Sequence, residues 1–523
     1  MPPPGSLATC DGVSCGFTCG AGTHACGGAC ASNGSVATCG ASCTPCATPA
    51  NAAPTCNGAA CGFTCNAGFV SCNGACVSGS DPRSNACAVT EQYGVFVSSS
   101  RGSAGGDGTR ARPFFSLQAA ISAAKAANKN VFACAETYAE SLTVVVGVTS
   151  YGYFACAGGA WQVSTARAVV SSPTSPAMYA SAIHATTRFE SFEIVAPDTS
   201  VSSASSIGLV AIDAGGLVIV GSRIHGGRAG AGADGTPGSA VTQTATSDGD
   251  ALGNGGASAC VDASSTPLAA WLQGGAGGAG GAAGTREQVC GEARNGGCIW
   301  NITPPLGGSS GAGAAGGMGG AVGGGLATIG GVGSAGTSGA GGGAVGYFDN
   351  AQGRYIPANA GTNGFYGTPG SGGGGAAGIA ATATRQGRVG AGGGAGGCTG
   401  VPGNGGNGGG ASIGVLAFAS TMSLENTTIE SADGGAGGRG APGSAGTAGG
   451  NGAAHGGAGG QGGSGGSGGG GMSLAYAHTG ALATLVSCTL VNGAGGNGQS
   501  AIVVNGMTIA ASANGTAAGD YGF

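Results

Sequence analysis

The sequence predicts an all-β chain: a solenoid of stacked strands that carries long glycine-rich insertions and follows a disulfide-rich head. Three observations predict it. Fourteen of the 21 cysteines precede residue 90. Four seven-residue strings, far apart in the chain, superpose with apolar side chains at their second and seventh places. Glycine supplies 123 of the 523 residues, and in GGAGGRGAPGSAGTAGGNG (434–452) it recurs at every third place without a miss.

Composition excludes several classes. Only 7% of residues are charged and the net charge is −5, so there is no basic footprint for nucleic acid. No run of eighteen apolar residues exists, so no membrane-spanning helix is expected. Cysteines this dense imply disulfides and an oxidising compartment, hence a secreted or cell-surface protein, expected to be bacterial. The opening MPPPGSLATC has neither a basic nor an apolar leader region, so a signal peptide is not expected within it.

The head spans residues 1–90 in two modules, about 10–46 and 56–87. Cys10, Cys15, Cys19, Cys26 and Cys30 recur with identical spacing 46 residues later as Cys56, Cys61, Cys65, Cys72 and Cys76. Segments this small cannot bury enough apolar surface to fold unaided, so cross-links must supply stability. Cys39, Cys43, Cys46 and Cys87 complete an even set of fourteen. Zinc fits poorly, since the head has a single C-x-x-C (Cys43, Cys46) and one histidine, His24; no metal is expected. Spacing does not determine the pairing.

From residue 92 a strand-like VFVS leads through a glycine-rich loop to SLQAAISAAKAA, with Leu117, Ile121 and Ala124 on one helical face, and then to the strand NVFACA. The run GDGTRARPFFSLQAAISAA, followed by a short strand and TYAE, resembles the N-terminal cap of right-handed parallel β-helix proteins of the pectin-lyase-like kind. That resemblance covers 92–225 continuously and later coils in pieces. It implies a right-handed parallel β-helix, and a family containing many polysaccharide lyases and hydrolases.

The residues also support stacking by themselves. Phe132-Ala133-Cys134 recurs as Phe154-Ala155-Cys156 one 22-residue coil later, which predicts Phe over Phe and either a Cys134–Cys156 bridge or two packed thiols. RFESFEI (188–194), VIVGSRI (218–224), SLENTTI (423–429) and TLVSCTL (484–490) place Phe189, Ile219, Leu424 and Leu485 in one inner row. Ile194, Ile224, Ile429 and Leu490 form the other. The sixth places set Glu193 above Arg223 as a surface ion pair, and Cys488 is a lone thiol.

Glycine-rich sequence separates these coils and always enters after the seventh place. The expected order is cap and first coils (91–225), insertion (226–410), one coil (411–431), a second insertion (432–471) and C-terminal coils (472–523). Glycine at every third place, in 330–342, 361–373, 394–409, 434–452 and 456–471, matches the three-residue turn of a polyproline II-type helix. Proline is scarce, which argues against collagen. The runs resemble polyglycine II bundles of certain antifreeze proteins and tailspike-tip adhesins, in which such helices pack side by side.

Segments between the runs hold the candidate binding residues, Trp271, Trp300, Tyr347, Phe348, Tyr355, Phe365 and Tyr366, expected at one end of the bundle. Cys260, Cys290, Cys298 and Cys398 would pin it with two disulfides. No catalytic constellation is legible: Glu190, Glu193, Asp213, Glu425 and Glu430 are scattered, His184 and Asp213 align as a surface pair, and SRIHGGR (222–228) lacks companion aspartates. No cofactor is implied, because the glycine loops lack a P-loop lysine. The expected role is structural and adhesive, binding a carbohydrate or cell surface or self-assembling. A lyase or hydrolase on the same solenoid, and ice binding, are the alternatives.

Overall fold

The computed structural model describes all residues except 79–80, 245–247, 291–297, 314–315, 321–325, 344–345, 358–359 and 383–384, and the side chains of 78, 289–290 and 298–300. Apart from one α-helix, Leu117–Ala127, and three short 3-10 turns, the described regular elements are strands. The chain divides into two compact units. One comprises Met1–Tyr138, Val145–Val169 and Thr186–Phe192; the other comprises Ala139–Val144, Val170–Ala185 and Glu193–Phe523.

The first unit opens with four antiparallel hairpins. Ser6–Cys10 pairs with Cys15–Cys19 and Thr23–Cys26 with Ala29–Ser32; Ala52–Cys56 with Cys61–Cys65 and Phe69–Cys72 with Ala75–Ser78 repeat them. Few apolar side chains in this head are buried, among them Val70 at 2% exposure, so covalent links must hold it. Cys19–Cys30 and Cys65–Cys76 are equivalent bridges. Cys26–Cys43 and Cys72–Cys87 each tie a hairpin to the segment that follows. The modules differ at one place. Cys56 and Cys61 reach back to Cys39 and Cys46, whereas their counterparts Cys10 and Cys15 join each other.

Beyond the head, Gly94–Val97, Asn130–Cys134, Thr149–Ala155 and Thr187–Glu190 stack as parallel strands. The helix starts where the Ser116 hydroxyl accepts the Ala119 amide at 3.2 Å and stops at left-handed Asn128. Its face of Leu117, Ala120, Ile121 and Ala124 is wholly buried. The two Phe-Ala-Cys tripeptides are not in simple register. Phe132 lies opposite Tyr151 and Cys134 opposite Phe154, with a bulge between. The Phe132 and Phe154 rings still meet at 5.4 Å, and Cys134 is bonded to Cys156. Gly152 sits at that irregularity, where a Cβ would lie 2.5 Å from the Ser191 carbonyl oxygen. Arg83 ties the end of the head to these strands: it covers the Tyr153 ring at 4.2 Å and pairs with Glu190 at 3.3 Å.

The second unit is built from three sets of parallel strands. Leu217–Val220, Ser423–Glu425 and Thr484–Val486 form one. Arg223–Gly226, Thr428–Ser431 and Thr489–Val491 form another, with Glu193–Val195 alongside Arg223. The third runs Leu142–Thr143, Met178–Ser181, Ser206–Ile212, Ser412–Phe418, Ser473–Thr479 and Ala517–Gly522. The inner rows are those the spacing predicts: Ile219 faces Leu424 and then Leu485, and Ile194, Ile224, Ile429 and Leu490 follow in register. Ile219, Ile224, Leu424 and Ile429 are at most 1% exposed, and each such burial contributes about 1.5–3 kcal/mol. Corners are made by single left-handed residues, Gly221, Asn426 and Ser487 at one and Asp213, Ala419 and Gly480 at another.

The glycine-rich sequence leaves the strands after each of Arg223–Gly226, Thr428–Ser431 and Thr489–Val491, and its backbone bonds recur every three residues. Gly435, Gly438, Ala441, Ser444, Thr447 and Gly450 donate N–H to the carbonyls of Gly410, Asn407, Asn404, Val401, Cys398 and Ala395, so these segments run antiparallel. Gly397, Gly400, Gly403, Gly406 and Gly409 donate to Gly457, Gly460, Gly463, Gly466 and Gly469, a parallel pair. The uninterrupted column 434, 437, 440, 443, 446 and 449 lies against carbonyls of 456–471, where an added Cβ would fall 1.9–2.3 Å from an oxygen. Pro442 occupies a different column and accepts from Gly238, so its missing N–H breaks no ladder.

Candidate functional site

One of the inserted segments returns to the strands. Tyr347–Asp349 and Arg354–Ile356 form an antiparallel hairpin that packs on the third strand set. That set needs a cover, because Ser206–Ile212 and Ser412–Phe418 are almost wholly buried along their length, on both faces. Phe348 and Tyr355 supply it, packed with Val210, Leu416 and Phe418. Phe348 stacks on Phe523 at 3.8 Å and meets Tyr355 edge-on at 5.2 Å. At the hairpin turn, Gly353 approaches so closely that a Cβ would fall 2.6 Å from Ile212 Cδ1.

Beside this contact the hairpin leaves a cavity of about 340 Å³. Ile207, Pro176 and Tyr355 give it apolar surface; Tyr179, Gln352 and Arg354 give it a phenol, an amide and a guanidinium. The wall hydroxyls are held in place. Ser205 Oγ accepts from the Ala411 amide at 3.0 Å, Ser175 Oγ from Ile207 at 2.9 Å and Tyr355 Oη from Gly346 at 3.1 Å. Ser175 and Ser205, each accepting a backbone bond, keep a hydroxyl hydrogen to donate. Arg354 is more than half exposed and meets Asp349 at 3.4 Å, leaving most of its donors to solvent.

The candidate aromatics therefore divide. Tyr355 is 5% exposed and, with Phe348, packs on the third strand set. Tyr347, on the same hairpin, is exposed. Trp271 and Tyr366, 95 positions apart in the chain, meet edge-to-face at 5.5 Å with both rings partly open to solvent. Phe365 beside Tyr366 is exposed. The Trp300 side chain lies outside the described residues. Cys260 is bonded to Cys398; the backbones of Cys290 and Cys298 lie opposite each other in a hairpin, their side chains outside the described residues.

Several charged residues of the strand sets pair with one another. Arg223 binds Glu193 at 3.0 Å and also Glu430, whose hydrogen bond raises the guanidinium pKa above its ordinary value. The pair predicted from spacing is thus a trio spanning three adjacent parallel strands, with His225 Nδ1 3.5 Å from Glu430. His184 and Asp213 meet at 3.5 Å, both well exposed. In the head, His24 lies against Cys26 and Cys43, and Cys39, Cys46 and Cys61 cluster, but all these sulfurs are in disulfides and offer no thiolate.

Reasoning from sequence missed Tyr179, Ser205, Gln352 and Arg354. Nothing local marks them, since Tyr179 and Arg354 are brought together across 175 residues only by the hairpin's return. Among the described residues no helix is long and apolar enough to cross a membrane. Disulfides on this scale point to an oxidising environment. No family model matches the chain, and no curated protein or solved structure matches it either.

Proposed function

We propose that the chain is a structural and adhesive protein of a bacterial cell surface or its surroundings, which holds a carbohydrate in the cavity beside the 347–356 hairpin. The three parallel strand sets are read as the faces of a right-handed parallel β-helix, and the three-residue ladders as a polyglycine II bundle. Parallel and antiparallel neighbours within one set of glycine columns support the second reading. Disulfides and buried inner rows make the scaffold stiff, as a surface exposed to proteases requires.

The observation that carries the binding role is the cavity itself. An apolar floor bearing a phenol, an amide, oriented hydroxyls and one guanidinium suits a sugar ring, whose faces are apolar and whose edges carry hydroxyls. Its volume of about 340 Å³ accommodates one or two sugar units. A role in catalysis has less support, because Glu193 and Glu430 share Arg223 rather than facing an open groove.

The test is a glycan-array screen followed by calorimetry on the best ligand. Arg354→Ala and Gln352→Ala should each weaken binding about tenfold or more, with the circular dichroism unchanged. Failure of every glycan to bind, or wild-type affinity in both variants, would remove the cavity from consideration.

A further inference from the structure

A cavity of about 420 Å³ lies within the first unit, where the last part of the head meets the loop after Gly94–Val97 and the turn at Trp161. Val89, Trp161 and Val163 give it apolar surface. Its polar side chains are those of Arg83, Arg110 and Gln162, so the lining carries two guanidiniums and no carboxylate.

The two arginines differ in what balances them. Arg83 is compensated, since it pairs with Glu190 at 3.3 Å and donates to Ser191 Oγ at 2.7 Å. Arg110 has no carboxylate within ion-pair reach among the described residues. Its guanidinium donates to the Val89 carbonyl and lies over the Phe96 ring at 5.2 Å. The nearby acids are turned elsewhere: Glu91 accepts the Arg110 backbone amide at 3.2 Å, and Asp107 pairs with Arg112 at 3.3 Å.

Arg110 Nε is buried without an acceptor, and so is Nε1 of Trp161. Trp161 is 3% exposed and meets the same Phe96 ring edge-on at 4.7 Å. Its backbone sits at φ 46°, in the left-handed region that bulky side chains avoid. Strain of this kind collects where a side chain is held for a ligand. Two donors without acceptors and one uncompensated charge, on the wall of one open cavity, call for an acceptor that is itself negative. A carboxylate answers this most closely, because its plane matches the guanidinium fork and its single charge equals the one left over.

We infer that this cavity binds a small organic acid, with its carboxylate on Arg110 and an apolar body against Val89, Trp161 and Val163. The inference does not rest on the carbohydrate reading, whose cavity belongs to the second unit.

Calorimetry on the oxidised full chain, with phenylacetate and its neutral amide as probes, tests it. The acid should bind at least about tenfold more tightly than the amide. Of the indole N–H signals from the three tryptophans, the one lost in Trp161→Phe should move when the acid is titrated in. Arg110→Gln should weaken the acid about tenfold or more with an unchanged melting curve. Val163→Glu should do the same, since Val163 is 42% exposed and can carry a competing carboxylate without disturbing the Arg110 loop; it decides the matter if Arg110→Gln melts early. Arg354→Ala should leave the affinity for the acid unchanged. Absence of saturable binding, equal affinity for acid and amide, or wild-type affinity in either folded variant would overturn the inference. Loss of acid binding in Arg354→Ala would overturn it too, by placing the acid in the other cavity.

Discussion

A methyl group on Gly437 would lie 1.9 Å from the Gly468 carbonyl oxygen, a distance no packing adjustment of a single side chain can relieve. The same holds along the column through Gly449, and it explains a triplet rhythm that keeps its phase without proline. Columns differ in tolerance: Ala441, Ser444 and Thr447 donate across a ladder yet carry side chains, and Ala445 in the third column is exposed. Gly437→Ala should therefore cost about 1–3 kcal/mol, while Ala445→Ser stays within about 0.5 kcal/mol of wild type. Thermal melts of the two variants side by side check this.

Among the elements, the loop that follows Gly94–Val97 is anchored by one carboxylate. Glu136 accepts from the Ser98, Ser99 and Ser100 hydroxyls and the Ser100 amide, at 2.7–3.2 Å. Partial burial pushes its pKa up, but the bonds from Ser100, Ser98 and Ser99 outweigh this and hold it below the ordinary 4.5. A carboxyl lowered on folding stabilises the folded chain above its unfolded pKa, and the contribution disappears as pH falls through the folded value. Melting temperature should accordingly drop as pH is taken below about 4.5, and Glu136→Gln should remove part of that slope. The effect is modest, since the group is partly exposed and screened. An identical pH profile in the variant would show that other carboxylates carry the acid sensitivity.

For the molecule as a whole, stability is spread over three devices: disulfides where there is little core, buried aliphatic rows along the strand sets, and backbone ladders where side chains are nearly absent. Amide hydrogen exchange separates the last from a flexible linker. Gly397, Gly400, Gly403 and Gly406, which donate across a ladder, should exchange slowly. Ala445 and Ala448, with no backbone acceptor among the described residues, should exchange fast. Uniformly fast exchange over 394–471 would mean that the glycine segments are not held by these bonds, and would leave the strand sets as the ordered part of the second unit.

Periodic features were legible in the sequence because they depend on local chemistry repeated many times. Alternation placed Ile219, Leu424 and Leu485 in one row, a 46-residue offset marked the paired head modules, and the triplet of glycines identified a contact surface. Tertiary structure alone decided what depends on a single distant encounter. Cysteine spacing was silent on pairing, and the same hairpin joins Cys10 to Cys15 in one module but sends Cys56 and Cys61 backward in the next, according to which sulfurs lie within reach. Phe348 and Tyr355 read only as candidate binding residues between glycine runs; that they pack against Val210 and Leu416 depends on the segment's return, which takes the rings and that apolar surface out of water together. The cavity with Tyr179 and Arg354 exists only as a consequence of that docking, and no local pattern encodes it.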